Sequence, residues 1–399
     1  MPFAQDRAMK HLIIRQATVA DAVGIRDIFI ETYGRDYPYS EMYDVRWLQR
    51  ALADDAMLVL VAELRGRLVG TGWVFLGSGP FCDLIGEFGR LVVTPDMRRH
   101  GIGTRLFEAR VTLTQPILHF GFVQARTVHP FAQRISEKCG FAPVGFLPSK
   151  SQFARRESLA VMVRLFGPAR TLRRPRPRLT PEILPLARAA LRNLHLSEDD
   201  IIVERETKGY HVDRAYSLEE WSEMRLPDLV ELARDCNKPR RVYSRIPINY
   251  RIFRLHAAEA IYLLAKQGDA LHGALGFVYD PGGRVLRIIE LIGRNDGVIG
   301  FLLEMLNRFM AERLDVAYAE IIVSAYNPVL QRTMLDHGFF PVAYYPAYVM
   351  RSVERLDAVR LAKLRAPLEG GFELIPSVDD IYDIVLRNME AAAIADRGQ

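Results

Sequence analysis

Cysteine is scarce. The 399 residues hold three, Cys82, Cys139 and Cys236, which form neither a disulfide framework nor a metal-ligand set at motif spacing. Long apolar runs are missing too: none approaches the roughly 18 to 20 residues that span a bilayer. The opening residues, Met1 to Lys10, contain no hydrophobic segment of the secretory kind. The histidines show no His-x-x-x-His or related spacing, so no metal site is expected. No nucleic-acid-binding motif is recognisable, which makes nucleic acid an unexpected partner. Together these absences describe a cytoplasmic, reduced protein with no membrane partner.

What is present is the composition of a globular protein, 49% hydrophobic and 25% charged, with a net charge of +5. The length suits two domains, each able to bury its own core. Part of the positive charge is concentrated: Arg170, Arg173, Arg174, Arg176 and Arg178 crowd a stretch with Pro168, Pro175 and Pro177. Such a stretch is either a solvated, proline-stiffened linker or a contact for phosphate or an acidic partner.

Periodicity gives a strand at 12–15, then a helix whose Ile25, Ile28, Phe29 and Tyr33 share a face behind a Thr18/Asp21 capping box. Val- and Leu-rich runs at 57–64 and 68–76 flank Arg65-Gly66 and read as a β-hairpin. A strand at 87–93 ends at Pro95, and Gly101 opens a helix with Ile102, Leu106, Ala109 and Leu113 at helical spacing. A strand at 121–128 leads through His129-Pro130 into a short helix stopped by Gly140. This is an α/β (α+β) pattern: a mixed central sheet flanked by helices.

The pattern repeats. His129-Pro130-Phe131-Ala132-Gln133-Arg134 aligns with Asn327-Pro328-Val329-Leu330-Gln331-Arg332, and Gly140-Phe141-Ala142-Pro143-Val144 with Gly338-Phe339-Phe340-Pro341-Val342, both at an offset of 198. Ala62, Leu68 and Gly70 meet Ala265, Leu271 and Gly273 at an offset of 203. A duplication follows, divided as domain 1–168, basic Pro/Arg linker 169–180, domain 181–365 and tail 366–399. In the tail, 372–375 reads as a strand and 378–389 as a helix. The opening elements of the second domain, between 181 and 255, have no clear pattern.

Chemistry concentrates in Leu91-Val92-Val93-Thr94-Pro95-Asp96-Met97-Arg98-Arg99-His100-Gly101-Ile102-Gly103. A strand feeds a Gly-containing turn that starts a helix, where unpaired N–H groups and the helix dipole suit a pyrophosphate. Glycine lets the backbone approach such a ligand, and Arg98 and Arg99 add charge-assisted contacts.

Arg98-x-x-Gly101-x-Gly103, after Leu91-x-Val93-x-Pro95, resembles the acetyl-CoA signature of the GNAT superfamily of N-acyltransferases. Hairpin, signature loop and Gly140-Phe141 occur in the family's order over residues 12–166. The resemblance implies two GNAT-like domains. It also implies acetyl-CoA or another acyl-CoA as co-substrate: pyrophosphate on Arg98, Arg99, His100, Gly101, Ile102, Gly103 and Thr104, pantetheine beside Leu91, Val92 and Val93. The second copy, Arg294-Asn295-Asp296-Gly297-Val298-Ile299, carries Ile299 in place of the second glycine. A side chain there crowds the phosphate approach, so this copy is expected to be weak or inactive in cofactor binding.

Amide formation from a thioester needs a neutral amine, yet a lysine-type amine has a pKa of about 10.4. A general base near the thioester-bearing strand is therefore useful. Glu87, eleven residues before Arg98, holds the position of the glutamate base in several family members, and its neighbours Leu84, Ile85 and Phe88 would raise its pKa by desolvation. A solvated glutamate or a pair with Arg90 is the alternative. The family's usual tyrosine acid is replaced by Ser136, and by Met334 in the repeat. His129 stands where the family often has a cofactor-contacting asparagine; it is a candidate titrating group or a capping histidine. Cys139 reads as a small buried hydrophobe.

Tyr33, Tyr37, Tyr39, Tyr43, Trp47 and Trp73 fall where the fold meets its acceptor, as core or as the wall of a pocket for an apolar amine. The expected acceptor is a primary amine of a small molecule. An acyl carrier protein is a second donor source, and the Arg cluster would suit it. A non-catalytic acyl-CoA sensor and a protein or tRNA acyltransferase are the competing functions.

Overall fold

The computed structural model describes residues 11–76, 85–220, 226–235, 242–243 and 260–397. Cys82, Leu84, Cys236, the opening ten residues and part of the 181–255 stretch lie outside the described residues.

The chain begins with β1 (Leu12–Gln16), α1 (Ala22–Tyr33) and α2 (Val45–Leu52). At the start of α1 the Asp21 carboxylate accepts from the Thr18 N–H at 2.7 Å and from Arg15 at 2.8 Å. The Arg15 guanidinium holds that carboxyl down at about 2. β2 (Met57–Leu64) and β3 (Arg67–Phe75) form the hairpin, turning through Arg65 and Gly66 at φ 51° and 80°. Two successive positive φ values are what a tight two-residue turn requires.

β4 (Ile85–Val93), α3 (Ile102–Thr114), β5 (Phe120–Arg126), α4 (Phe131–Lys138) and the long hairpin β6 (Ala142–Gln152) and β7 (Arg156–Leu165) complete the first half. α3 buries Ile102, Leu106, Phe107, Arg110, Val111 and Thr114, whereas Leu113 is exposed. Its buried stripe is therefore rotated from the expected one. Gly140, at φ 79°, ends α4, and the Phe141 N–H donates back to the Ser136 carbonyl at 3.0 Å.

The rest comprises β8 (Arg178–Leu179), α5 (Leu184–Asn193), β9 (Ile202–Val203), β10 (Ser217–Glu220), α6 (Leu226–Asp235), β11 (Ala260–Gln267), β12 (Ala270–Asp280) and β13 (Val285–Gly293). After these come α7 (Asp296–Glu312), β14 (Tyr318–Ser324), α8 (Pro328–Asp336), β15 (Phe340–Arg351), β16 (Glu354–Leu364) and α9 (Pro376–Arg397).

Fourteen strands form one sheet in the order β1-β2-β3-β4-β5-β7-β6-β15-β16-β14-β13-β12-β11-β10. Read inward from either edge, corresponding strands follow in the same order. β10 pairs with β11 as β1 pairs with β2, which supplies an opening strand the sequence left unplaced. The centre of this near-palindrome is the pair Gly145↔Ala343, a residue facing its own counterpart at the 198 offset. An approximate two-fold axis therefore runs through the seam between β6 and β15. A Cβ on Gly145 would stand 2.3 Å from that of Ala343, so the close approach depends on glycine.

The segments set apart as linker and tail are corrected by the structure: they are equivalent, and each straps the opposite half. Gln331 on α8 donates to the Arg178 carbonyl and accepts from the Thr180 N–H, both at 3.1 Å. Gln133 on α4 does the same for Glu373 and Ile375, also at 3.1 Å. Helices α5 and α9 follow the straps. Asn193 donates to the Pro143 carbonyl and Asn388 to Pro341. Both straps and helices obey an offset of 195, with Leu179, Pro181 and Leu191-Arg192-Asn193 matching Leu374, Pro376 and Leu386-Arg387-Asn388. Residues 372–375 are consequently not a strand but an extended strap. The linker is not a solvated spacer either: Arg173 makes a two-pronged ion pair with the fully buried Asp357, and Arg170 donates to the Leu194 carbonyl.

Charge also crosses the seam. Lys150 from β6 meets Glu320 on β14 at 3.0 Å, beside Arg287 at 3.0 Å and Arg360 at 2.6 Å. Burial opposes ionisation of Glu320, but Arg360, Lys150 and Arg287 hold its carboxyl well below the usual range. Burial and the neighbouring Arg360 bring the Lys150 ammonium down to about 7.

Gly145→Val should destabilise the protein by about 2–3 kcal/mol through forced separation of β6 from β15; an unchanged urea-unfolding midpoint would contradict this. Because Lys150 has a folded-state value below the roughly 10.4 of a free lysine, the unfolded chain binds more protons between about pH 7 and 10. Its contribution to stability therefore rises with pH across that window, by on the order of 3–4 kcal/mol. Lys150→Met should flatten that rise, read as the difference between variant and wild-type midpoints at about pH 7 and 9.5.

Candidate active site

The site begins with an irregularity in β4. Thr71 pairs with Val92 and Trp73 with Gly89, so Gly72 alone faces both Arg90 and Leu91. This is a β-bulge, with Arg90 at φ 48°. Arg110 of α3, fully buried, pins it by donating to the Trp73 and Gly89 carbonyls at 2.8 and 3.1 Å and to Leu106 at 3.4 Å. Gly72 leaves the space this needs, since a Cβ there would meet Arg110 Nε at 2.9 Å. Sequence reasoning missed Arg110; the available signal was a charged residue one turn after Leu106 in an otherwise apolar helix face.

Past the bulge the sheet opens. β4 and β5 share three parallel pairs, Ile85↔Phe120, Gly86↔Gly121 and Glu87↔Phe122, and then diverge. The gap becomes a cleft of about 620 Å³. Leu91, Val92 and Val93 form one wall, with Arg126 and His129 opposite; Thr32 and Tyr33 close one side. An extended strand edge without a ladder partner can receive an amide-bearing chain by backbone hydrogen bonding.

The other end of the cleft is the start of α3. Its N-cap, Gly101, is left-handed at φ 75°, and no side chain caps the helix. A Cβ on Gly101 would meet nothing within 4 Å, whereas one on Gly103 would touch Ile135, Val93 and Leu91 at 3.5–4.0 Å. Gly101 is thus needed for its conformation, whereas a Cβ on Gly103 would make only ordinary contacts along the cleft wall. The predicted residues Arg98, Arg99, Gly101, Ile102, Gly103 and Thr104 all line the cleft. His100 does not; its Nδ1 is buried without a partner.

Glu87, half-buried, stands at the apex where the strands part. His129 lines the cleft with Nδ1 unpartnered; burial and then Arg126 lower its pKa, so its imidazole is neutral at pH 7. Ser136 is corrected: it is fully buried, bonds to the Ala132 carbonyl at 2.8 Å and does not line the cleft, so it cannot reach a leaving group. Cys139 is buried in the core, where desolvation pushes its thiol up.

The aromatics divide into core and wall. Trp73 is fully buried and stacks on Trp47, with centroids 6.1 Å apart. Tyr33, Tyr37 and Tyr39 form a chain of contacts at 4.9 and 5.5 Å that reaches Phe153 between β6 and β7.

The second half has the same opening, closed. β13 and β14 also share three parallel pairs, but Arg287, bound to Glu320, holds the place of Glu87. Val242 bridges to Val323 and the Tyr243 N–H donates to Ile322 at 2.8 Å, occupying the β14 edge that faces the gap. The N-terminus of α7 is capped by Asn295, whose side chain accepts from Val298, and is covered by residues 210–213. A Cβ on Gly300 would lie 2.1 Å from the His211 carbonyl oxygen. Ile299 is fully buried and packs against Gly293, filling cleft space rather than standing over a phosphate site as expected. Asn327 caps α8 and contacts Tyr210. A separate cavity of about 750 Å³ remains between the strap arginines 174, 176 and 178 and Tyr210, Tyr243 and Tyr326.

Residues 55–143 match the family model described as an acetyltransferase (GNAT) domain. No curated protein matches the chain. Among solved structures, a GNAT-family acetyltransferase from Streptococcus pneumoniae is similar at 20% identity and TM-score 0.34, covering 39% of this chain and 99% of that one. The ribosomal-protein-alanine N-acetyltransferase of Brucella melitensis is 23% identical, with TM-score 0.34 and coverages of 39% and 99%. A Salmonella typhimurium protein solved with its cofactor acetyl-CoA is 19% identical, with TM-score 0.35 and coverages of 39% and 94%.

Calorimetric titration with acetyl-CoA should give one site per chain, and Gly101→Val should weaken it at least tenfold, because a β-branched residue resists φ near +75°. Two sites, or undiminished affinity in the folded variant, would contradict the assignment of the cleft.

Proposed function

The chain carries a GNAT acetyltransferase domain, matched over residues 55–143, and on that premise we propose that its first half acylates a primary amine of a small molecule by direct attack, with Glu87 as general base. The observation that carries this reading is an uncapped helix start and an unpaired strand edge in one cleft, with a carboxylate, Glu87, on the same strand at the point where β4 leaves β5.

Coenzyme A, when bound, supplies the activated acyl thioester. The N–H groups at the start of α3, with Arg98 and Arg99, hold its diphosphate. The backbone of Leu91 to Val93 bonds its pantetheine, and one N–H of that strand polarises the carbonyl under attack. Glu87 takes the proton from the incoming amine, so that the nitrogen lone pair is free to attack. The neutral imidazole of His129 offers a hydrogen-bonding partner along the cleft, which fits cofactor contact better than acid catalysis. With Ser136 withdrawn into the core, the thiolate leaves without an acid from that position.

The second half, plugged at its strand edge and helix start, serves in this reading as a scaffold whose strap holds α4 of the first. No helix among the described residues is long and apolar enough to cross a membrane.

Glu87→Gln should lower kcat for amine acylation by roughly 10²–10⁴ while leaving acetyl-CoA affinity unchanged. Undiminished thiol release from the variant would remove Glu87 as the base.

A further inference from the structure

Arg90 is the residue the proposed chemistry leaves unexplained. Its guanidinium lies 3.8 Å from the ring centroid of Tyr39 and 4.5 Å from that of Phe75. Its Nε is sealed from solvent and unpartnered, and among the described residues the side chain makes no hydrogen bond or ion pair. Other buried guanidiniums among the described residues have hydrogen-bond acceptors or a carboxylate partner, although Nη2 of Arg110 is also without one. Arg110 donates to three carbonyls, Arg355 to the Ala347 and Tyr348 carbonyls, Arg360 to Glu320 and Arg173 to Asp357. Buried polar groups are nearly always hydrogen-bonded, and a buried cation more so. Ring faces attract the charge but accept none of the five N–H donors in plane.

The backbone makes the arrangement deliberate. Arg90 is the bulged residue of β4, held at φ 48°, where a non-glycine residue is strained. Arg110 locks the bulge from behind, and the bulge re-aims residue 90 toward the aromatic wall. Three residues earlier on the same strand is Glu87, and the electrostatic fields of both reach Tyr37. The other cation of this wall, Arg126, is engaged: it grips Glu157 with two bonds of 2.7 and 2.6 Å and lies over Phe153. One guanidinium, its Nε without a partner among the described residues, thus faces aromatic surfaces on the strand that carries the base.

We propose that Arg90 is the carboxylate receptor of the acceptor site, and that the acceptor is an amino acid with an aromatic or large apolar side chain. This rests on the acyltransferase reading above and adds the substrate class. The planar carboxylate matches the guanidinium fork, the apolar body lies on the rings of Tyr33, Tyr37, Tyr39 and Phe153, and the amine is left beside Glu87. A decarboxylated amine would leave the Arg90 donors unmet, which is how such a site rejects analogues.

The test compares phenylalanine, tryptophan and leucine with phenethylamine, tryptamine and isoamylamine as acceptors for acetyl-CoA, following thiol release. Wild type should favour the amino acids by at least a hundredfold in kcat/KM. Arg90→Met should shrink that ratio at least thirtyfold through KM for the amino acids, and Arg90→Lys should restore part of it. A merely structural role would depress both classes alike and keep the ratio. Equal wild-type rates on both classes would overturn the proposal. A second arm needs no turnover: calorimetric binding of 3-phenylpropionate and 3-phenylpropanamide to the acetyl-CoA-free protein. Tighter binding of the acid, lost in Arg90→Met, supports the receptor even if no amine is acylated, and that combination would count against the acyltransferase reading alone. Indistinguishable binding of acid and amide overturns the receptor whatever the enzyme does.

Discussion

The parting of β4 from β5 is the constraint on which the site depends. Three parallel pairs hold the strands together, and a bulge pinned by Arg110 then turns β4 away. A regular ladder would have closed the sheet and left no cleft. Burying Arg110 is costly, and desolvation lowers its guanidinium to about 9, but its donors reach the Trp73, Gly89 and Leu106 carbonyls and so tie α3 to the bulge. Everything assigned to chemistry lies along that divergence: Glu87 at its apex, Arg90 on the bulge, Leu91 to Val93 on the freed edge and the start of α3 at its mouth.

The same divergence occurs at both ends of the sheet order, with opposite results. In the first half the gap is open; in the second, the chain's own Val242 and Tyr243 lie on the β14 edge and residues 210–213 cover the start of α7. The fold tolerates either state because a gap between strands needs some partner for its backbone groups, and a ligand or the chain itself can provide it. Near-symmetry survives where it supports stability. Gly145 meets Ala343 on the axis, Gln133 and Gln331 hold equivalent straps, and Asn193 and Asn388 tie equivalent helices. It is lost at the candidate site: the position held by Glu87 in the first half is held by Arg287 in the second.

The straps give the second half a part in the first half's site. Glu373 donates its N–H to the Thr127 carbonyl at 2.7 Å, two residues from His129, and Ile375 is tied to Gln133. The loop carrying His129 is thereby held by the far end of the chain. The second half thus supports the first half's candidate site through the strap alone.

Local signals in the sequence determined a good deal. The Arg65-Gly66 turn, the helix stop at Gly140 and the helix start at Gly101 follow from φ requirements and periodicities that act within a few residues, and the 198-residue repeat from aligning the sequence with itself. The tertiary structure alone decided the rest, because it depends on partners far away in the chain. The burial of Ser136, the exposure of Leu113, the use of Arg110 and the closure of the second cleft each depend on such partners. So does the equivalence of linker and tail, whose shared residues number too few to stand out until Gln133 and Gln331 make identical bonds to them. Arg90 is the sharpest case: beside Glu87 in sequence it reads as that residue's ion-pair partner, and only the bulge, by changing which way position 90 faces, places it between two rings.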